Sequence, residues 1–202
     1  PLNTRHAPAG FSDRVAFGLT RMLRFFADSF FAKRYGHRAV VLETVAAVPG
    51  MVGGMVHHMR SLRRLEDDRK WIHTLLAEAE NERMHLRTFI KIAQPNWLER
   101  MLILGAQGVF FTSFLLLYVV SGRTAHRLVG YFEEEAVYSY SEYLREVDSG
   151  RLENVPAPAI AIDYWQLPAN ATLRDVIIAV RNDEAGHRDV NHHIADSYDH
   201  PE

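Results

Sequence analysis

Cysteine is absent from the 202-residue sequence. Its absence excludes disulfides, thiolate metal ligation and regulation through thiols, so any metal must be held by imidazole and carboxylate groups. Strong charge of either sign is also missing. The formal net charge is -2, and without a broad basic field no nucleic-acid partner is expected. The Val/Ile/Thr alternation of strands is scarce, and no low-complexity tract marks a domain boundary. The sequence starts at Pro1 and not at a Met, so these residues do not decide whether a targeting peptide precedes them. What remains is 48% hydrophobic residues in mostly helical periodicity, enough for one all-α domain over 1–202 with a sizeable core.

The periodicity predicts six long helices, at about 12–35, 37–65, 67–93, 96–121, 123–149 and 171–197. Gly36, Pro95, Gly122 and Gly150 punctuate the joins. The stretch from Gly150 to Asn170 holds Pro156, Pro158 and Pro168 and reads as one long loop. Thr172 with Asp175 reads as a capping box for the last helix. Pro49 and Gly50 inside the second helix predict a kink there. The first helix mixes Phe17, Leu23, Phe25, Phe26, Phe30 and Phe31 with Arg14, Arg21, Arg24, Lys33 and Arg34, which suits an anionic membrane surface. The alternative is a core helix with a solvated basic face. The fourth helix has no charged residue from Met101 to Val120 and is long enough to span a bilayer.

Two Glu-x-x-His units occur, Glu82 with His85 and Glu184 with His187. Residues three apart share a helix face, so each pair reaches one region. The stripe through the last helix reads Leu173, Ile177, Val180, Glu184, His187, Asn191, Ile194; that in the third reads Trp71, Leu75, Glu78, Glu82, His85, Phe89, Ile92. Both motifs therefore interrupt apolar faces. Burying carboxylates without partners costs several kcal/mol each, and a metal pair supplies the missing partner. Glu43 lies on the stripe Ala39, Ala47, Gly50, Gly54, inside an otherwise uncharged run. Among Glu133, Glu134 and Glu135 only one is expected to face inward. Glu133 shares the stripe of Val129, Ala136, Tyr140, Leu144 and Val147, whereas Glu134 aligns with Arg127, Ser141 and Arg145, and Glu135 with Ser139 and Glu142.

The order forms a repeat. Glu43 precedes Glu82 by 39 residues, Glu133 precedes Glu184 by 51, and the excess falls in the Gly150–Asn170 loop. Two copies of a glutamate followed by Glu-x-x-His make the six-ligand set of ferritin-like di-iron and di-manganese bundles. Four carboxylates balance two divalent ions, and oxygen with imidazole donors suits iron or manganese better than zinc or copper. The alternative is a hydrogen-bonded Glu–His core without metal. A shared cluster also bears on the fourth helix. If that helix crossed a membrane once, Glu82 and Glu133 would lie on opposite sides. The first and fourth helices are therefore expected to lie in one leaflet, or, alternatively, the fourth is merely buried, as at a dimer interface.

Five stretches carry a resemblance to a known family: Arg38–Gly54 (RAVVLETVAAVPGMVGG), Glu78–Leu86 (EAENERMHL), Val129–Ala136 (VGYFEEEA), Asn154–Trp165 (NVPAPAIAIDYW) and Leu173–His192 (LRDVIIAVRNDEAGHRDVNH). The chain closely resembles the alternative oxidases, cyanide-insensitive quinol oxidases, from about Arg24 onward. The resemblance implies oxidation of ubiquinol with four-electron reduction of O2 to water and no proton pumping. It implies a di-iron four-helix bundle (helices at about 37–65, 67–93, 123–149 and 171–197) plus two membrane-interfacial helices, about 12–35 and 96–121. It also implies a homodimer bound to one leaflet of an inner membrane, either the bacterial cytoplasmic membrane or the matrix side of the mitochondrial one. Two iron ions would be held by Glu43, Glu82, His85, Glu133, Glu184 and His187. The family's redox tyrosine matches Tyr140, and its quinol pocket matches Arg24, Asp28, Arg38, Leu42 and Ala136. Asn81, Asp183, Tyr118, Tyr164, Trp165 and His126 resemble the residues that orient the ligands.

Some positions depart from that pattern. Phe132 stands where many members have Leu, beside the expected quinol pocket, so quinol and inhibitor fit are expected to differ. Gly186 replaces a larger polar residue inside the second motif, weakening the helix by about 1 kcal/mol relative to Ala. Without cysteine, the redox and 2-oxo-acid control of plant members is not expected. Two rival functions share the ligands: a membrane-bound di-iron hydroxylase of a quinone-type substrate, and a non-catalytic metal-binding bundle of ferritin type.

Overall fold

The computed structural model describes residues 2, 4–31, 34–67 and 70–198. They form an all-α chain of seven helices: α1 Phe11–Phe31, α2 Tyr35–Arg64, α3 Trp71–Ala93, α4 Trp97–Val120, α5 Gly122–Asp148, α6 Ala159–Trp165 and α7 Leu173–Ser197. Among the described residues the only extended pairing is an isolated bridge between Pro156 and Thr172. Lys33 and the side chains of Phe30 and Phe31 lie outside the description, as do Ala32, Asp68 and Arg69 at the expected helix joins. The chain divides into two compact units, one of Pro1–Tyr35 with His126–Glu202 and one of Gly36–Ala125.

In the Gly36–Ala125 unit, α2 and α3 approach closely because α2 presents glycines to α3. A Cβ added at Gly50 would collide with the Leu75 carbonyl and meet Ala79 Cβ at 3.0 Å; one at Gly53 would meet Leu75 Cδ1 at 2.9 Å and the Tyr118 hydroxyl at 3.2 Å. Pro49 sits buried inside α2, and the helix continues through it. Gly50→Ala is expected to destabilise the protein by about 2 kcal/mol, because the obstacle is backbone and overpacking outweighs the helix propensity gained. For a chain of this size that is a fall of roughly 4–8 °C in the unfolding midpoint, read by a thermal melt.

Helix α4 opens on a capping box in which Asn96 Oδ1 accepts from Glu99 N–H (3.0 Å) and Glu99 Oε2 accepts from Asn96 N–H (2.9 Å). Its inner face is Phe114 and Tyr118, both buried. Its outer face is bare: Trp97, Leu98, Leu104, Val109, Leu116 and Val119 are all more than half exposed. By length and composition α2 and α4 both qualify to cross a membrane, but 56% of the α2 window is buried against 11% of the α4 window, so α4 offers far more of its apolar surface outward.

In the other unit, α1 buries Asp13, Ala16 and Thr20 and exposes Phe11, Met22, Leu23, Phe25 and Phe26. Phe17 packs edge-on to Tyr131 of α5, ring centroids 5.3 Å apart. The expected Gly150–Asn170 loop is corrected by α6. Pro158 caps this seven-residue helix without interrupting it, because proline is tolerated before a helix begins. The segment is tied to the start of α7 by Leu173 N–H to the Val155 carbonyl (2.8 Å) and Ala157 N–H to the Ala171 carbonyl (2.9 Å). At that start Asp175 accepts from Thr172 N–H (2.8 Å), a bond that holds its carboxyl below the usual carboxylate range.

Candidate metal centre

Each unit holds one triplet of two carboxylates and an imidazole. In the Gly36–Ala125 unit Glu43 comes from α2, and Glu82 and His85 from one face of α3. All three are buried, His85 completely. His85 Nδ1 lies 3.2 Å from Glu43 Oε2 and 3.3 Å from Glu82 Oε2. In the other unit Glu133 comes from α5, and Glu184 and His187 from α7. Glu133 and Glu184 are buried, and His187 Nδ1 lies 3.5 Å from Glu184 Oε2. Within each triplet one ligand atom per residue lies within 4.8 Å of the others. Donors around one ion at about 2.0–2.2 Å stand roughly 3–4.4 Å apart, so each triplet has the spacing of half a coordination sphere. Carboxylate and imidazole donors fit a divalent first-row ion, and two carboxylates buried side by side favour a cation between them.

Glu134 corrects the expectation that a single glutamate of the α5 run faces inward. It is as buried as Glu133 but looks elsewhere: its Oε1 accepts from His6 N–H (2.7 Å) and faces His192 Nε2 (3.0 Å). Helical phasing tells which way a side chain points, and α5 is covered on more than one side. Glu135 is half-buried and pairs with Arg24 of α1, whose guanidinium also binds Asp28 (3.2 Å) and lies 4.6 Å over the Tyr138 ring.

Of the expected quinol residues, Arg24, Asp28 and Ala136 belong to the unit of α1, α5 and α7. Arg38 and Leu42 are half-buried on α2 of the other unit, and Phe132 is half-buried on α5. Tyr140 is buried on α5, two turns beyond Glu133. Tyr143, one turn further, stays a phenol, since burial pushes its hydroxyl up to about 12. Several of the expected orienting residues are connected. Trp165 Nε1 donates to Asp183 Oδ2 (2.8 Å), beside Glu184. His126 Nδ1 faces Asn191 Oδ1 (2.9 Å), whose Nδ2 donates to the His187 carbonyl (3.0 Å). Tyr164 is exposed and stands edge-on to Trp165, Asn81 is half-buried next to Glu82, and Tyr118 is buried beside Gly53.

Sequence patterning misses Asp13, Arg127 and Arg188, three charged residues with almost no exposure. Arg127 Nε donates to Asp13 (3.1 Å) and its guanidinium also pairs with Asp196. The shared face of Arg127 and Glu134 was the available signal, since opposite charges two turns apart are compatible with a buried network as well as with solvent.

A family model described as alternative oxidase matches residues 2–196. A ubiquinol oxidase, mitochondrial, of Mangifera indica is 60% identical over 195 residues, covering 96% of this chain and 61% of that protein. Ubiquinol oxidase 1c, mitochondrial, of Arabidopsis thaliana is 58% identical, with coverage of 96% and 59%. Ubiquinol oxidase 1a, mitochondrial, of Oryza sativa subsp. japonica is 59% identical, with the same coverage. The chain thus spans less than two thirds of the length of these relatives.

Proposed function

Since the chain belongs to the alternative oxidase family, its match running across residues 2–196, we propose that it is a non-proton-pumping ubiquinol:oxygen oxidoreductase. The observation that carries this function is the duplicated buried triplet, Glu43, Glu82 and His85 in one unit and Glu133, Glu184 and His187 in the other. Taken together as one centre in a single four-helix domain, the six side chains would hold two iron ions. Those ions would supply the redox chemistry by which four electrons from two quinols reduce one O2 to two waters. Four carboxylates match the charge of two divalent ions, and the apolar surroundings keep the ligands from exchanging with solvent.

The remaining residues bind and move protons. Arg24, Asp28, Arg38, Leu42 and Ala136 form the quinol pocket in this account. Arg24 is held half-buried by Glu135 and Asp28 against the Tyr138 face, which leaves its remaining N–H groups to donate to a quinol oxygen. Tyr140 supplies a proton and an electron from a buried hydroxyl. Asp183 and Asn191 orient the α7 ligands through Trp165 and His126. The exposed apolar faces of α1 and α4 lie in one leaflet of an inner membrane, with Arg14 and Arg21 at the headgroups. The chain acts as a homodimer, supported by the exposed stripe Met51, Met55, Met59 and Leu62 on α2.

Tyr140→Phe is expected to keep the bound metal while lowering quinol-dependent oxygen uptake about a hundredfold, the scale of losing a placed proton donor. Full activity in that variant contradicts the role. Product analysis tests the reaction itself: two quinols consumed per O2 with no oxygenated product is expected. Incorporation of labelled oxygen into an organic product indicates a hydroxylase instead.

A further inference from the structure

The segment before α1 runs over α5 and α7, and His6 is where it is held. His6 N–H donates to Glu134 (2.7 Å), and its ring stacks on His192 with centroids 4.7 Å apart and planes at 22°. The neighbouring contacts are longer: Arg5 to Glu135 at 3.9 Å, and Arg188 to the Thr4 carbonyl at 3.4 Å. The hydrogen bonds of the His192 ring select one tautomer. Arg127 Nη1 lies 2.9 Å from His192 Nδ1, and arginine only donates, so Nδ1 must accept. The His192 proton therefore sits on Nε2, facing Glu134 at 3.0 Å.

We propose that residues 4–9 form a pH-gated clasp, closed over α5 and α7 at neutral pH and released on acidification by a proton on the His6 imidazole.

The groups facing His6 come from three helices: Asp13 of α1, Arg127, Tyr131 and Glu134 of α5, and His192 of α7, with Asp196 of α7 behind Arg127 as its ion-pair partner. Asp13 Oδ2 lies 3.4 Å from His6 Nε2 and favours the proton, but it is already bound by Arg127 (3.1 Å) and Ala9 N–H (3.2 Å). Burial, then the Arg127 cation, then His192 outweigh it and hold the closed imidazole below its ordinary 6.5. The sign follows. Well above pH 6.5 the imidazole is neutral in both the closed and the released forms, and protonation does not oppose closure. As pH falls from 6.5 towards the lower closed value, the released form takes up the proton first, and closure is lost.

Amide hydrogen exchange over residues 4–9, expressed as protection relative to the intrinsic rate, reads this directly. Between pH 7.5 and 5.5 protection is expected to fall several-fold, up to about tenfold, for a single proton taken up below an ordinary His value. In His6→Phe, which keeps an aromatic stack without a titrating nitrogen, protection is expected to be the same at both pH values. Unchanged protection in the native chain overturns the clasp. An equal pH-dependent loss in the phenylalanine variant overturns the role of His6 and assigns the effect to His192 or Glu134. An NMR titration of His6 in the native chain needs no variant: midpoint below 6.5 is expected, and a midpoint at or above 6.5 overturns the proposal.

Discussion

Glu133→Ala is expected to abolish quinol-dependent oxygen uptake, by a hundredfold or more, and to lower the metal bound per chain. Loss of a residue that merely orients a ligand costs about 10–100-fold in metal affinity or activity, and a ligand itself costs at least the upper end of that range. Glu133 is buried on α5, within ligand distance of Glu184 and His187. The isosteric Glu133→Gln adds a signed stability test. Buried carboxylates repel one another when no cation is bound, and each buried charge costs several kcal/mol. Metal-free Glu133→Gln is therefore expected to melt at or above the metal-free native protein while remaining inactive. A residue kept for the fold would behave oppositely. Glu134 provides the contrast within the same turn: it binds His6 and His192, so Glu134→Gln is expected to retain the metal. Oxygen uptake undiminished in Glu133→Ala contradicts its assignment as a ligand.

Arg127→Met is expected to destabilise the protein by about 3–5 kcal/mol, the scale of breaking a buried ion pair at one partner. Arg127 and Asp13 are each 1% exposed, and the guanidinium joins α1, α5 and α7 through Asp13, His192 and Asp196. Removing it leaves the Asp13 carboxylate buried without its cation. In a chain of this size the unfolding midpoint falls by roughly 6–20 °C. The double variant Arg127→Met with Asp13→Asn is expected to recover part of the loss, because the penalty belongs to the uncompensated charge and the two effects are coupled. A single-variant loss under about 1 kcal/mol, or strict additivity in the double variant, contradicts this account.

The all-α class was legible because core positions recur at helical spacing, and Glu133 was separable from its neighbours because Val129, Ala136 and Tyr140 share its stripe. Depth was not legible. Phasing put Glu134 on a face with Arg127 and could not tell a buried ion network from a solvated one; the deciding partners, His6 and His192, lie far away in sequence. The Arg24–Glu135 pair was hidden for the same reason. Helix α6 escaped because seven residues between Pro158 and Pro168 are too few for periodicity to register. The Asn96–Glu99 box had its signature in plain sight, an Asn three residues before a Glu at the head of an apolar run.

Oxygen uptake driven by ubiquinol in the presence of cyanide, measured on preparations of graded iron content, tests the central claim most directly. Uptake is expected to rise with iron, to reach its maximum at two irons per chain, and to be insensitive to cyanide. No uptake from a sample holding two irons per chain, or full uptake from one holding none, contradicts it.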